Sequence, residues 1–469
     1  MKIIFTHAYF MCDDPIEQGI NKPYPPLGIL YLSAWLEQHG YDNLVFDATF
    51  SNTQKQHQFL IEEQPDIIAI YANMMTKVEV VKLIAFIAKT PVLAHTLIVL
   101  GGPDVTYNIH NYLAAGANAL VIGEGEQTML ELVQAVDKGL APQFGHINGL
   151  AFRNEQGELV RTPKRAHLRH VDEMMFPNRK KIDLHLYLNH WKQHHESSSL
   201  TISTQRGCPY TCRWCSTAVY GQSYRRRDPA LVAKELLQLQ KEYQPDQVWF
   251  VDDVFTVNHK WLTHFKDELQ ARNVRIPFEC ITRAERLSPE IISLLKECGC
   301  FRIWIGAESG SQRILDAMDR RVDANKVEAT IIEARRQGVE TGTFIMLGYP
   351  GETEADIQLT LAYLKRANPD LFTITVAYPI KGTALYEGVK DKFVYDLDWF
   401  TTTDRDNDFK RSYSRKYYDY AVRWVVNGVH FHKESVKGES LSIKSMKFFI
   451  KMNLARVAMY WERLIVYLK

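Results

Sequence analysis

Neither sign of charge dominates this chain: 56 Lys and Arg stand against 55 Asp and Glu, a formal net charge of +1, so no global basic field marks a nucleic-acid binder. There is no run of about 18 uninterrupted apolar residues of the kind that spans a bilayer. The start, Met1-Lys2-Ile3-Ile4-Phe5, enters a β-like run at once, without the charged, apolar and small-residue regions of a secretory leader. The expected location is the cytoplasm. Cysteine is sparse and odd in number, seven in 469 residues. Cys12, Cys280, Cys298 and Cys300 are scattered, while Cys208, Cys212 and Cys215 fall close together. This is not the pattern of a disulfide framework.

What is present is a chain of ordinary globular composition, 46% hydrophobic and 24% charged, long enough for two or three cores. Residues 1–144 alternate short β-branched runs (Ile3 to Thr6, Asn43 to Asp47, Asp66 to Tyr71, Thr96 to Leu100, Ala119 to Ile122) with helical patterns such as Gly28 to His39 and Val78 to Ala88. That order predicts βαβ units and a Rossmann-like parallel sheet. Its strands end in polar or glycine-rich turns at His7, Asp47, Asn73, Gly101-Gly102-Pro103 and Gly123-Glu124-Gly125-Glu126, and ligands of open α/β sheets sit beyond those carboxyl ends. Residues 145–199 lose periodicity and read as a connector, with His185, His190, His194 and His195 as a solvated polar face. Six further strands, at Leu200 to Ser203, Gln247 to Val251, Phe278 to Thr282, Arg302 to Ile305, Thr343 to Leu347 and Leu371 to Val376, predict a partial (β/α)6 barrel over 200–390. Residues 391–469 read as a helical C-terminal region.

The three clustered cysteines follow the first barrel strand at C-x3-C-x2-C spacing, in the run Gly207-Cys208-Pro209-Tyr210-Thr211-Cys212-Arg213-Trp214-Cys215. Thiolates suit iron-sulfur clusters or zinc. Structural zinc normally takes four protein ligands, and no fourth Cys or His lies at a matching short spacing. Three ligands on a four-iron cluster leave one iron open to a small chelating molecule.

With Trp214 just before its last cysteine, this motif resembles the signature of the radical S-adenosylmethionine superfamily. The resemblance implies a 4Fe-4S cluster on Cys208, Cys212 and Cys215, and S-adenosylmethionine cleaved reductively to give a radical that abstracts hydrogen from a substrate. It also implies cofactor contacts at Trp214, at Asp252 and Asp253 after the second strand, at Arg283 after the third, at Gly306 and Glu308 in Ile305-Gly306-Ala307-Glu308-Ser309-Gly310, and at Gly348 and Pro350 in the turn Leu347 to Glu352. Asp252-Asp253 stands where many members carry Gly-Gly-Glu. Arg283 is equally readable as a surface ion pair.

Residues 1–144 in turn resemble the cobalamin-binding domain of cobalamin-dependent radical enzymes. The likeness is carried by Pro25-Pro26-Leu27-Gly28, Gly101-Gly102-Pro103 and Gly123-Glu124-Gly125-Glu126. It implies that Pro26, Gly28, Asn73, Met74, Gly101, Gly102, Pro103, Gly123, Glu124, Gly125 and Glu126 line a corrinoid. The Asp-x-His-x-x-Gly motif, whose His ligates cobalt from below, is absent. Gly207 to Cys212 and Tyr224-Arg225-Arg226-Arg227-Asp228-Pro229 are most similar to the anaerobic magnesium-protoporphyrin ester cyclase and P-methylase group. The implied reactions are methyl transfer to an unactivated carbon or oxidative cyclisation and hydroxylation, on a small-molecule, lipid-like or pigment-like substrate. The implied reductant is an external donor such as flavodoxin or ferredoxin. Arg225 to Arg227 are readable as an acidic-ligand site or as a solvated helix start. A corrinoid-binding sensor or an iron-sulfur electron carrier is the non-catalytic alternative.

In the tail, residues 441–469 hold six basic residues and a single acid, Glu462. Lys444, Lys447 and Lys451 share one helical face, while Met446, Phe449, Ile450, Val457, Tyr460 and Leu464 share another. Such a helix either packs on the barrel or lies against the inner face of an anionic membrane.

Overall fold

A computed structural model describes the chain at residues 1–217 and 219–468. Two compact units emerge, one of residues 1–209, 217–249 and 397–403, the other of residues 210–216, 250–396 and 404–469.

The first unit is built on a seven-stranded sheet of β1 (Ile3–His7), β2 (Leu44–Phe46), β3 (Ile67–Tyr71), β4 (Leu97–Gly101), β5 (Ala119–Val121), β6 (Leu150–Arg153) and β7 (Leu159–Arg161), in the order β2-β1-β3-β4-β5-β6-β7. The first five are parallel, as the βαβ pattern predicts. Period-2 alternation feeds two cores: Ile4, Ile68, Ile70, Ile98, Leu100 and Leu120 on one face, and Ile3, Phe5, Ile67, Val99 and Val121 on the other. Helix Leu27–Gln38 covers the second face with Ile29, Tyr31, Trp35 and Leu36. The segment read as a connector does more than connect, because β6 pairs antiparallel with β5 and β7 antiparallel with β6, extending the sheet. At four and three residues, ending in exposed Arg153 and Arg161, they are too short to print an alternation.

Its four histidines lie on or at the end of helix Leu184–His195. His185 and His194 are exposed, and His190 and His195 are half-buried, with His190 Nε2 3.1 Å from Asn21 Oδ1 and His195 Nε2 3.0 Å from the Asn21 carbonyl.

Past β8 (Ser199–Ile202), a two-stranded hairpin of β9 (Gln205–Arg206) and β10 (Arg225–Arg226) brackets the cysteine segment. The barrel sheet continues with β11 (Gln247–Phe250), β12 (Phe278–Thr282), β13 (Cys300–Glu308), β14 (Glu340–Leu347) and β15 (Leu371–Val376), in the order β15-β14-β13-β12-β11-β8. All six expected strands are present, and β12 to β15 pair in parallel. Helices Pro289–Glu297, Ala324–Arg336 and Glu354–Ala367 separate the later strands, the last opened by a Thr353–Asp356 capping box.

The C-terminal region is helical as expected, in a pair formed by Arg415–Val436 and Ile443–Leu468. His430 stacks on Phe448 at 5.0 Å. Ser414 Oγ donates to Glu462 at 3.2 Å. Residues 397–403 belong instead to the first unit, where Trp399 meets Tyr112 edge-on at 4.8 Å. No described helix is long and apolar enough to cross a membrane.

Candidate active site

The cysteine segment is entered through Gly207, whose φ of +81° and closeness to Ser223 leave no room for a side chain. Within the second unit the segment is pinned on both edges: the Arg213 N–H donates to the Met318 carbonyl at 3.1 Å, and the Arg213 carbonyl accepts from the Leu385 N–H at 2.8 Å. Thr211 Oγ1 donates to Asp319 Oδ2 at 2.7 Å. Trp214 packs on the core of Ile314, Met318, Tyr349, Leu385, Val389 and Phe409. The expected cofactor-facing aromatic is thereby an anchor of the loop.

Arg283, which the sequence leaves readable as a surface ion pair, is buried at 3% exposure. Its Nη1 donates to Cys212 Sγ at 3.4 Å, Nη2 to the Arg320 carbonyl and Nε to Glu285. The guanidinium lies 3.9 Å from the Tyr210 ring, whose hydroxyl accepts from Arg286 Nε at 2.6 Å. A buried cation against one thiol complements the negative charge of a thiolate-ligated cluster. Cys208 and Cys212 are half-buried and Cys215 is exposed, and none of the seven cysteines is in a disulfide. Among the described residues no three His, Cys, Asp or Glu side chains converge as a metal group. The case for the three thiols therefore rests on their motif and on the partners of their loop, not on converging distances.

Beyond the strand ends, Asp252 is buried and Asp253 exposed. At the end of β13 the ladder to β14 slips between Gly306 and Glu308, and Glu308 takes φ +66°. Its carboxyl is pushed up to about 7 by burial, against the pull of Arg320 and Arg283. Arg320 Nε lies 3.9 Å from Glu308 Oε1, and Arg320 Nη2 donates to the Gly306 carbonyl at 2.6 Å. A Cβ on Gly306 would stand 2.8 Å from Glu308 Oε1 and 2.9 Å from Arg320 Nη2. A side chain there would displace the tips of these two side chains. Arg320 is 4% exposed, and its Nε and Nη1 have no hydrogen-bond partner among the described residues. The guanidinium thus faces Glu308 and holds the Gly306 carbonyl while two of its donors stay open to a further acceptor.

After β14, Gly348 has φ +77°, and a Cβ there would stand 2.8 Å from Arg411 Nη1. Arg411 donates to the Gly348 carbonyl at 3.2 Å and the Ala377 carbonyl at 3.0 Å. The Gly348 N–H donates to Glu352 Oε2 at 2.6 Å. Glu352 is fully buried, and burial pushes its carboxyl up to about 8. Pro350 shapes the same turn, half-buried.

In the first unit, Gly102 has φ +113°, and a Cβ would collide with the Ala72 carbonyl oxygen. Gly101 ends β4, and Pro103 starts the short turn Asp104–Thr106. Around Gly28, which follows Pro26 at the start of its helix, a Cβ would meet nothing within 4 Å, so a large ligand could come to the backbone there. Gly123 is likewise open, with φ +86° and its nearest neighbour 3.8 Å away, while a Cβ on Gly125 would press on Leu32 at 3.2 Å.

Asn73 is engaged differently from the expectation of a corrin contact. Its Oδ1 accepts from the Met75 and Thr76 N–H groups at 2.9 and 3.0 Å, closing the turn before helix Lys77–Lys89, with Met74 half-buried beside it.

The two acids of the glycine-rich turn are engaged as well. Glu124 pairs with Arg225, lies 3.6 Å from Arg206 and 3.3 Å from His167, and accepts from the Leu168 N–H at 2.9 Å. Burial pushes its carboxyl up, but these hydrogen bonds and cations win and hold it below the usual range. Glu126 pairs with Arg206. Because desolvated acids need such partners, this pair braces the turn instead of facing a ligand.

The arginine run is likewise spent internally. Arg225 donates to the Leu168 carbonyl at 2.8 Å, Arg226 to Thr204 Oγ1 at 3.1 Å, and Arg227 to Glu235 at 2.6 Å and the Ser203 carbonyl at 2.9 Å. These partners take up most donors of the run, and Arg225 and Arg226 form β10 in place of a helix start. His7 offers no ring nitrogen to a metal: Nε2 lies 3.0 Å from Asp47 Oδ1, and Nδ1 accepts from the Tyr9 N–H at 3.2 Å.

Sequence reasoning missed Tyr210, Arg286, Arg320 and Glu352. Two of these carried a signal, Tyr210 by its place inside the cysteine motif and Glu352 by its place in the turn after β14.

Comparison with known proteins gives a consistent picture. Residues 202–364 match the radical SAM superfamily and residues 20–133 the B12-binding domain. The chain is 29% identical to an uncharacterized methyltransferase of Pyrococcus horikoshii, over 84% of this chain and 85% of that protein. It is 25% identical to the anaerobic magnesium-protoporphyrin IX monomethyl ester cyclase of Rubrivivax gelatinosus, over 85% of this chain and 72% of that one. Its fold is similar to that of the cobalamin-dependent S-adenosylmethionine radical enzyme OxsB, solved with aqua-cobalamin bound, with a TM-score of 0.73 at 16% identity over 99% of this chain and 73% of that one. It is also similar to the radical S-adenosylmethionine methyltransferase TsrM of Kitasatospora setae, with a TM-score of 0.68 at 18% identity over 83% of this chain and 74% of that one.

Proposed function

The chain belongs to the radical S-adenosylmethionine superfamily and carries a B12-binding domain as well, and from that premise we propose that it is a methyltransferase acting on an unactivated carbon of a small, lipid-like or pigment-like molecule. The observation that carries the reading is the B12-binding domain on the same chain, since a corrinoid can hold and deliver a methyl group. The cluster and S-adenosylmethionine would supply a substrate-based radical and the corrinoid the methyl group.

The chain's own residues take the following parts. Cys208, Cys212 and Cys215 hold the cluster, with Arg283 against Cys212 and Tyr210 fixing Arg283. Asp252, Asp253, Gly306, Glu308, Gly348 and Pro350 border the S-adenosylmethionine, and the Arg320 guanidinium meets its carboxylate. Pro26, Gly28, Met74, Gly101, Gly102, Pro103 and Gly123 let the backbone approach the corrinoid. An external donor such as flavodoxin or ferredoxin reduces the cluster. The protein works in the cytoplasm, at the inner face of the membrane.

One observation favours a second reading, oxidative cyclisation: the 25% identity to a magnesium-protoporphyrin ester cyclase over 85% of the chain. Incubating the reconstituted protein and a cell extract with S-adenosylmethionine carrying a deuterated methyl group tests both. A product that gains the label supports methyl transfer. An unlabelled oxidised product overturns it in favour of cyclisation or hydroxylation.

A further inference from the structure

Helix Ile443–Leu468 turns a narrow face inward, through Ser445, Ala455 and Met459, with Phe448 and Met452 half-buried beside them. The opposite face is apolar and open. Ile443, Met446, Ile450, Leu454, Val457 and Trp461 follow one another at helical spacing and are 76, 53, 53, 65, 54 and 60% exposed. They form one stripe about 27 Å long. Leu441, 90% exposed, and Val436, 64% exposed, extend it onto the turn before the helix. Elsewhere among the described residues, large exposed hydrophobic side chains stand singly or in small groups such as Val394 with Tyr395, whereas ten fall between Leu441 and Ile465. Contiguous apolar surface of this size marks a contact site.

The charge around the stripe selects the occupant. Lys447 and Lys451 stand exposed along one border. Lys444 continues the row one turn earlier, held 3.0 Å from Glu434. The helix has one acid, Glu462, and it is turned back to accept from Ser414. Within the helix no carboxylate therefore shares the outer face with the stripe, and the nearest exposed acid in the chain, Glu439, sits in the turn before it. Tyr460 and Trp461, 54 and 60% exposed, are residue types that settle at lipid headgroup level.

We infer that this outer stripe lies in the headgroup region of an anionic bilayer, with its apolar side chains among the acyl chains and Lys447 and Lys451 against lipid phosphates. This deepens the reading of an enzyme at the membrane face and is independent of the methyl-transfer chemistry.

The holoenzyme is mixed with vesicles of phosphatidylcholine alone or with phosphatidylglycerol added, and the bound fraction is measured by co-sedimentation. Wild type is expected to bind the anionic vesicles, with binding weakened by salt. Lys447→Gln/Lys451→Gln should lower the partition coefficient roughly tenfold, and Ile450→Asp/Leu454→Asp about a hundredfold or more. Both pairs point outward, so fold is preserved, and S-adenosylmethionine cleavage in solution should match wild type. Absence of wild-type binding, or equal binding by the Asp pair, overturns the inference. So does a dimer in sedimentation velocity that the Asp pair dissolves, because the stripe would then be covered by a second copy. Loss of cleavage in wild type would strike the enzyme reading and leave vesicle binding to be judged separately.

Discussion

Replacing Glu352 by glutamine should flatten the acid-to-neutral decline of this protein's stability. The carboxyl is fully buried and sits at about 8 in place of its ordinary 4.5. The folded chain thus keeps a proton that the unfolded chain gives up between those two values. A group of this sign contributes its full stability below pH 4.5 and loses it as pH rises through the window, by about 1.4 kcal/mol per pH unit. By pH 7 the loss amounts to roughly 3 kcal/mol, an upper figure because the site can relax. Glutamine cannot ionise, yet it keeps an oxygen to accept the Gly348 N–H that Glu352 Oε2 now accepts at 2.6 Å. The assay is thermal unfolding of the cofactor-free chain from pH 4.5 to 8. The variant and wild type should melt together at the acid end and separate at pH 7 by roughly 6–12 °C, at 2–4 °C per kcal/mol. Parallel profiles across the range would mean that Glu352 is ionised in the folded chain, and the burial argument would fail.

Three further outcomes follow from the same geometry. Cys212→Ala should abolish iron retention after anaerobic reconstitution and end S-adenosylmethionine cleavage, while changing the melting temperature of the cofactor-free chain little; iron and sulfide analysis with product quantification checks it. Arg283→Met leaves Cys212, Glu285 and the Arg320 carbonyl without their donor, so it should cost about 3 kcal/mol and lower the iron bound per chain several-fold, read by denaturant unfolding alongside metal content. Gly102→Ala forces a side chain against the Ala72 carbonyl at φ +113°, at a cost of about 1–3 kcal/mol; cobalamin retained on gel filtration should fall while cluster content stays at the wild-type level.

The strands were readable because burial on both faces forces near-continuous β-branched runs, such as Ile67-Ile68-Ala69-Ile70, and parallel strands need long helical crossovers that separate those runs. β6 and β7 escaped because three or four residues cannot display a period, and because β5, the partner that joins β6 to the sheet, lies about 30 residues upstream. The cysteine loop was legible through spacing, because three thiols within eight positions can be wrapped around one centre by a single short loop. Arg225 and Glu124 were misread for the opposite reason. An ion pair across a hundred residues leaves no local pattern, and an unpaired charge in a sequence looks like a ligand-binding charge until its partner is found. Arg283 shows the same blindness in reverse, a buried cation that charge counting would place on the surface.

Backbone conformation separates structural from functional irregularity more sharply than charge does. Nine non-glycine residues hold positive φ. Asn21, Gln64, Glu196 and Asn368 are themselves helix C-caps, and Gln244, Asn273 and Asp319 come one residue after one. Those seven close helices in the left-handed turn that helix ends favour. Two remain, Glu308 at +66° and Arg321 at +52°, and neither ends a helix. Glu308 faces Arg320 across 3.9 Å, and Arg321 is the next residue in the chain. Both strained positions therefore adjoin the same buried carboxyl and guanidinium, at the end of the strand that slips register to present them. Strain of about 1–3 kcal/mol per site persists only where the surroundings impose it. Here the surroundings are the register slip beside Gly306 and the Arg320 guanidinium, whose Nε faces Glu308 and whose Nη2 holds the Gly306 carbonyl. Buried guanidinium nitrogens without a hydrogen bond occur on Arg179 and Arg225 as well. What sets Arg320 apart is its place beside a strained carboxyl at a barrel strand's carboxyl end, where such barrels carry their sites.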